Sequence, residues 1–213
     1  DHDDPVRRQA LWFSGNNSAA STMVDFSYWR DNTNQVVFGD IEWAFRSFTV
    51  ELWARPEVVN REQVLIERSF YYGPSDQSTT NMYVRRNFRV GIDAGGHVYA
   101  MFENAGAHDS HTATVIAYGL TLLPNEWKYI TARMDGVKQV FTLFVDGVAQ
   151  SAVETALIPA NGIITIREFP DSPGSGGTYA SGALTLGAAN GAPAWIVAQT
   201  WADYSLFYQG WID

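Results

Sequence analysis

Ser47-Phe48-Thr49-Val50-Glu51-Leu52-Trp53-Ala54-Arg55-Pro56 changes character at every residue. Phe48, Val50, Leu52 and Ala54 fall on one side of an extended chain, and Thr49, Glu51 and Arg55 on the other. A period of two belongs to a β-strand with one face on a core and the other in water. The pattern recurs on both sides of this stretch. Phe88, Val90 and Ile92 share a face, and so do Val98, Ala100 and Phe102. Within 127–134, Ile130, Ala132 and Met134 oppose Tyr129, Thr131 and Arg133. Within 140–146, Phe141, Leu143 and Val145 oppose Thr142, Phe144 and Asp146, and Leu184 and Leu186 repeat the spacing. Nothing in the pattern asks for a helix longer than a turn or two.

Turn chemistry separates these runs. Asp93-Ala94-Gly95-Gly96 reads as a hairpin turn, and Asp135-Gly136 and Asp146-Gly147 each follow a strand-like run. Residues 170–177, rich in Pro, Gly and Ser, read as a long loop. Residues 1–9 carry charge and a proline and read as an exposed lead-in, which leaves 10–213 as one domain. Many short strands joined by turns predict an all-β sandwich of two antiparallel sheets.

Composition narrows the function classes. The 213 residues suffice for one large β domain, with 46% hydrophobic, 14% aromatic and 17% charged residues. A net charge of −9 opposes binding to a nucleic-acid backbone or to an anionic membrane surface. The chain has no cysteine, which excludes disulfides, thiolate metal sites and thiol nucleophiles. No apolar run is long enough for a bilayer-spanning helix, so membrane insertion is not expected. The sequence starts without Met and without a secretory leader, and reads as a mature or excised segment.

Several fragments, in order, resemble the laminin-G-like, concanavalin A-type jelly roll. Ala10-Leu11-Trp12-Phe13-Ser14-Gly15 resembles its opening strand, and residues 47–56 its second. Residues 88–98 resemble its central hairpin. Trp127 to Gly136 resembles the segment W-H-H-V-A-x-x-x-D-G, residues 141–148 the L-Y-V-D-G-V strand, and residues 183–187 the strand ending in I-G. Phe207-Tyr208-Gln209-Gly210-Trp211-Ile212-Asp213 resembles the closing motif, which in the family continues beyond that Asp. The sequence departs at Ser14, where the family often has Asp, and residues 18–46 and 68–87 exceed a minimal member and read as decorated loops. The resemblance implies a domain that binds more often than it catalyses. With no cysteine, it implies a secreted or surface protein of prokaryotic type. It also implies that 10–15 pairs beside 210–213, with an open sheet edge where a closing strand would follow.

The resemblance further implies a structural Ca²⁺ near the join of the opening and closing strands. Asn16, Asn17 and Asp213 are the matching positions, and Asp40 is a further oxygen donor. The competing reading is that these residues cap turns. For a carbohydrate ligand, Trp29, Tyr71, Tyr72, Trp195, Trp201 and Tyr204 lie in loop-like stretches where rings can stack on a sugar. The same rings would equally cover the ends of a core, and Trp12, Trp53 and Trp127, being within strand motifs, are assigned to packing.

Catalytic readings have thinner support. Jelly-roll glucanases carry alternating acids on one strand, and the nearest match is Asp40-Ile41-Glu42, with Phe38 where a further acid would stand. His108-Asp109-Ser110-His111 has two histidines three apart but no third ligand nearby, and His97 lies elsewhere. No nucleophile-elbow motif supports a Ser-His-Asp triad. Asn16-Asn17-Ser18 fits a glycosylation sequon or a turn. The leading expectation is a non-catalytic recognition module, calcium-stabilised, for a glycan or a cell-surface protein. The alternatives are an assembly domain of an adhesin, stalk or filament, joined to neighbouring subunits or domains through the open edge, and a glycoside hydrolase.

Overall fold

The alternation in residues 47–56 is realised as a strand inside a sheet. The structure, a computed structural model, describes residues 10–15, 23–25, 29–30, 36–37, 42–43, 46–73, 83–104, 113–159, 162–163, 179–189 and 205–213. In chain order the strands are β1 (Leu11–Ser14), β2 (Met23–Asp25), β3 (Trp29–Arg30), β4 (Val36–Val37), β5 (Glu42–Trp43), β6 (Phe48–Pro56), β7 (Gln63–Gly73) and β8 (Tyr83–Ile92). They continue as β9 (His97–Glu103), β10 (Thr114–Thr121), β11 (Lys128–Asp135), β12 (Val140–Val145), β13 (Val148–Glu154), β14 (Gly162–Ile163), β15 (Tyr179–Leu186) and β16 (Gln209–Ile212).

Two six-stranded antiparallel sheets carry the fold, in the orders β1-β16-β6-β11-β12-β13 and β10-β9-β8-β7-β15-β2. We call them the first and second sheet. Two short pairs, β3-β4 and β5-β14, accompany them. The expected pairing of the two end fragments is present, with Leu11 opposite Ile212 and Ser14 opposite Gln209. β16 lies between β1 and β6, and Asp213 exchanges both backbone hydrogen bonds with Trp53, at 2.9 Å and 2.8 Å.

The inward faces of the two sheets share one core. Val50, Leu52, Ile130, Ala132, Phe141 and Leu143 from the first sheet meet Val90, Ile92, Val98, Ala100, Phe102 and Val115 from the second. Aromatic pairs bridge the sheets: Phe102 stands edge-on to Phe141 at 5.1 Å, and Phe48 lies 5.6 Å from Phe88. Such contacts add to area burial, which itself stabilises by about 25 cal/mol per Å² of apolar surface. The sheets are also tied by polar groups. The fully buried Gln63 donates to the Val58 carbonyl at 2.6 Å, and its oxygen accepts the Gln209 amide at 2.9 Å.

The Asp93–Gly96 turn is the hairpin between β8 and β9. The Asp93 carboxylate accepts from the Gly95 and His97 amides at 2.8 and 2.9 Å, and Gly96 takes a φ of +84° there. Burial would push the Asp93 carboxyl up, but these two donors outweigh it and hold it below the usual carboxylate range.

One expectation is corrected. Residues 68–87 are not simply a loop, because 68–73 extend β7 and 83–87 open β8 as a long hairpin arm. Two register shifts in that pair, between Val64 and Ile66 and between Arg68 and Ser69, break the alternation that marks a strand.

Candidate functional site

The outer face of the second sheet concentrates polar and aromatic side chains. Because Phe88, Val90 and Ile92 point inward, Asn87, Arg89 and Gly91 point outward from β8. On β9 the outward set is Tyr99, Met101 and Glu103, and on β10 it includes Ile116 and Tyr118. The ladders align these residues in rows. Ile116, Met101, Arg89, Glu67 and Thr185 stand opposite one another across five strands. Beside them, Tyr118 faces Tyr99, which faces Gly91.

Gly91 is what lets Tyr99 lie flat. A Cβ there would stand 2.8 Å from the Tyr99 hydroxyl and 2.6 Å from the Gln63 carbonyl oxygen. The Tyr99 ring, almost wholly buried, lies 6.3 Å from that of Tyr118, tilted by 49°. Tyr118 itself is 53% exposed, and Ile116 next to it 37%. The Tyr99 hydroxyl reaches Glu62 at 3.4 Å and also bonds Arg89. Burial pushes the Tyr99 phenol up to about 12.

Beside the rings lies an ion network. Glu67, with no exposed surface, accepts from Arg89 Nε and lies 3.5 Å from Arg86 Nε. Arg86 Nη1 donates to Glu103 at 2.8 Å, and the Arg86 amide donates to the other Glu103 oxygen at 2.7 Å. Glu62 approaches Arg89 at 4.0 Å. Burial alone would lower Arg89, but Glu67 beside it outweighs that and raises it. The result is an exposed ring on a rigid, hydrogen-bonded floor. The exposed Tyr118 ring can stack on an apolar ring face, and the buried network beneath this face keeps its strands rigid.

Few of the residues singled out from sequence are among the described ones. Asn16, Asn17, Asp40, Trp195, Trp201 and Tyr204 lie outside the described residues, as do His108 and His111. Trp29, Tyr71 and Tyr72 are in strands, not loops: Trp29 in β3 opposite Val37, and Tyr71 and Tyr72 in β7 between β8 and β15. His97 opens β9, and its Nδ1 lies 3.2 Å from the Asp93 carboxylate, a turn contact. Glu42 is in β5, and Asp40 lies outside the described residues. Trp12 and Trp53, assigned to packing from sequence, belong to the outward side of the first sheet, where Trp12 is 48% exposed, and Trp127, assigned likewise, is half-buried just before β11.

Of the four calcium positions, only Asp213 is among the described residues, past Ile212 and beside the start of β1. At the other end of β1, the Gly15 carbonyl and the Gln209 amide oxygen both accept from Arg61 at 3.4 Å. Among the described residues, no group of three His, Asp or Glu side chains is arranged to hold a metal.

The fold and this face define a two-sheet jelly roll of the lectin type. The sequence profile of the concanavalin A-like lectin/glucanases superfamily, in its laminin G form, matches residues 30–185, and the chain belongs to that superfamily. No curated protein sequence matches it. Among solved structures it is similar to the CBM40 of the Ruminococcus gnavus IT-sialidase bound to α2,3-sialyllactose. The TM-score is 0.53 at 13% identity, over 95% of this chain and 85% of that one. The same CBM40 bound to α2,6-sialyllactose gives 0.51 at 13% identity, over 95% and 87%. A native heptameric SAP-like pentraxin from Limulus polyphemus gives 0.48 at 11% identity, over 96% and 72%. At these identities the likeness is one of fold.

Three features of the site escaped the sequence reading. Tyr118 sits in T-V-I-A-Y-G-L-T, where both faces carry apolar residues, so alternation is muted. Tyr99 and Glu103 lie in a strand whose core positions drew attention first. Glu67 is in the bulged part of β7. A usable signal was the run of charged residues, Glu67, Arg68, Arg86 and Arg89, inside segments otherwise fit for burial.

Proposed function

We propose that the chain is a non-catalytic carbohydrate-recognition module of a secreted or surface protein, and that it grips its glycan on the outer face of the second sheet. The observation that carries this is the half-exposed Tyr118 ring beside the buried Tyr99, next to the Arg89–Glu67–Arg86–Glu103 network. Superfamily membership and the likeness to a CBM40 that binds sialyllactose support the class of ligand. The charges on this face narrow it. Glu62, Glu67 and Glu103 oppose Arg86 and Arg89, and both guanidiniums are already bonded to carboxylates. A neutral sugar therefore suits the face better than one held by its own carboxylate. The same pairing disfavours glycoside hydrolysis, which needs one carboxyl as a proton donor and a second opposite it. Here Glu67 and Glu103 are both engaged by guanidinium groups.

Glycan-array binding of the wild-type chain and of Tyr118→Ala tests the reading. Loss of one stacked ring should weaken binding at least tenfold, with the melting temperature unchanged because the ring is exposed. Equal binding by both proteins, or no binding to any glycan, sinks it. A structural calcium at Asn16, Asn17, Asp40 and Asp213 belongs to the same proposal, and a melting temperature indifferent to EGTA removes it. Assembly of an adhesin, stalk or filament is a second reading. A concentration-independent monomer in analytical ultracentrifugation would end that reading.

A further inference from the structure

The opposite outer face, on the first sheet, bears a different set of side chains. With Val50, Leu52 and Ala54 inward, β6 turns Thr49, Glu51, Trp53 and Arg55 outward. β11 adds Tyr129, Thr131 and Arg133, β12 adds Thr142 and Phe144, and β16 adds Trp211. Trp12 stands opposite Trp211, and Trp211 opposite Arg55. Trp53 lies ring to ring with Tyr129 at 5.1 Å, tilted by 36°. In the next row Glu51, Thr131 and Phe144 stand in register and enter a groove of about 700 Å³ that Thr49, Arg133 and Asp135 also line. The strip from Trp12 to Phe144 crosses five strands, about 19 Å at the usual strand spacing.

The chemistry of this strip identifies an occupant. Its outward positions on β6, β11, β12 and β16 are aromatic, hydroxylic, amide or charged apart from Val140 at the start of β12. Rings and arginines also suit a protein interface, and it is the hydroxyls of Thr49, Thr131, Thr142 and Tyr129 between the rings that favour a sugar. Its polar groups are bonded to one another and to neighbouring loops. Trp12 donates to Glu57 at 3.2 Å, and Arg133 donates to Asp135 at 3.3 Å. Arg55 donates to the Asn125 carbonyl at 3.1 Å, and the Tyr129 hydroxyl donates to Glu51, which holds that phenol above its usual range. Arg133 is paired with a carboxylate, and Arg55 is held on a backbone carbonyl. The groove volume lies within the range of small-ligand sites. Elongation, flat rings, balanced charge and interleaved hydroxyls together fit a linear, uncharged oligosaccharide.

We propose that the first sheet's outer face is a second ligand surface, which holds a linear neutral glycan along Trp12, Trp53 and Tyr129 and into the Glu51–Thr131–Phe144 groove. It takes only the ligand class from the proposed function, and the two surfaces are independent.

Isothermal titration with cellohexaose, laminarihexaose and xylohexaose, on wild type, Trp12→Ala, Arg133→Ala and Tyr118→Ala, tests this. Trp12 and Arg133 are exposed, so both variants should melt with the wild type. One of the three probes should bind wild type and Tyr118→Ala with Kd values within twofold at this surface. Trp12→Ala should weaken that binding tenfold or more, and Arg133→Ala severalfold. Binding abolished by Tyr118→Ala and untouched by Trp12→Ala overturns the second surface and leaves the first standing. Binding lost only in Trp12→Ala and Arg133→Ala does the reverse. No binding of any of the three probes to the wild type also overturns the second surface, while the wider glycan array still decides the first.

Discussion

Glu67 shows how much one buried carboxylate organises. It has no exposed surface, accepts from Arg89 and lies beside Arg86, whose guanidinium carries the charge on to Glu103. An ionised group is kept so deep only when partners replace its water, and here two guanidiniums do. Tyr99 borrows the same environment. Its hydroxyl is held by Arg89 and Glu62, and burial pushes its phenol up to about 12 from an ordinary value near 10. A raised folded value means that the native state keeps the proton longer than the unfolded chain does. The stabilising contribution is complete below pH 10 and disappears as pH rises to 12, amounting to about 2–3 kcal/mol. Tyr99→Phe removes that titration and loses a hydrogen bond worth about 1 kcal/mol. Urea unfolding should therefore find Tyr99→Phe less stable than wild type at pH 8, with the gap closing near about pH 11 and reversed by pH 12. Parallel stability curves would show that Tyr99 does not titrate differently on folding. Tyr208, also raised by burial, is common to both proteins and cancels in the comparison.

At the scale of the element, the hairpin of β8 and β9 carries the platform, and Gly91 is its most constrained position. An added Cβ would meet the backbone oxygen of Gln63 at 2.6 Å, so β7 and β8 would have to part, and the Tyr99 ring would have to lift. Gly91→Ala should cost about 1–3 kcal/mol by overpacking, and should weaken glycan binding although Gly91 itself offers no contact. A variant with wild-type melting temperature and wild-type affinity would contradict the packing described. The elements also explain what was legible in the sequence. β6, β11 and β12 alternate cleanly because one face meets the core and the other meets water, and their periods were plain. β7 was hidden. Its bulges shift the phase, its outward Glu67 is as buried as its core residues, and Arg68 sits 4% exposed with its guanidinium lowered by burial to about 10. The candidate site was hidden for the same reason, since Tyr99, Met101 and Glu103 are outward in direction but buried in fact. Trp12 misled in the opposite sense, because membership of a strand motif says nothing of which face a ring takes until the register of β1 against β16 is known.

For the whole molecule, the consequence is one of geometry. The two proposed surfaces lie on opposite outer faces of a sandwich whose sheets are packed face to face through a core of about 10 Å. Phe13 helps fix that arrangement, since it crosses from β1 to lie against Gly187 at the end of β15 and edge-on to Tyr208 at 6.2 Å. A short oligosaccharide cannot reach around the edge to occupy both faces at once. A long polysaccharide, or two separate ones, can, so each molecule acts as a two-headed link instead of a single anchor. Light scattering of a soluble neutral polysaccharide that the chain binds should rise on addition of the wild-type protein, pass through a maximum and fall when protein is in excess. Tyr118→Ala and Trp12→Ala should each abolish the rise while still binding the polymer, because each keeps one face, and the double variant should not bind. A rise that survives either single variant would mean that the links are made between protein molecules and not by two glycan faces on one sandwich.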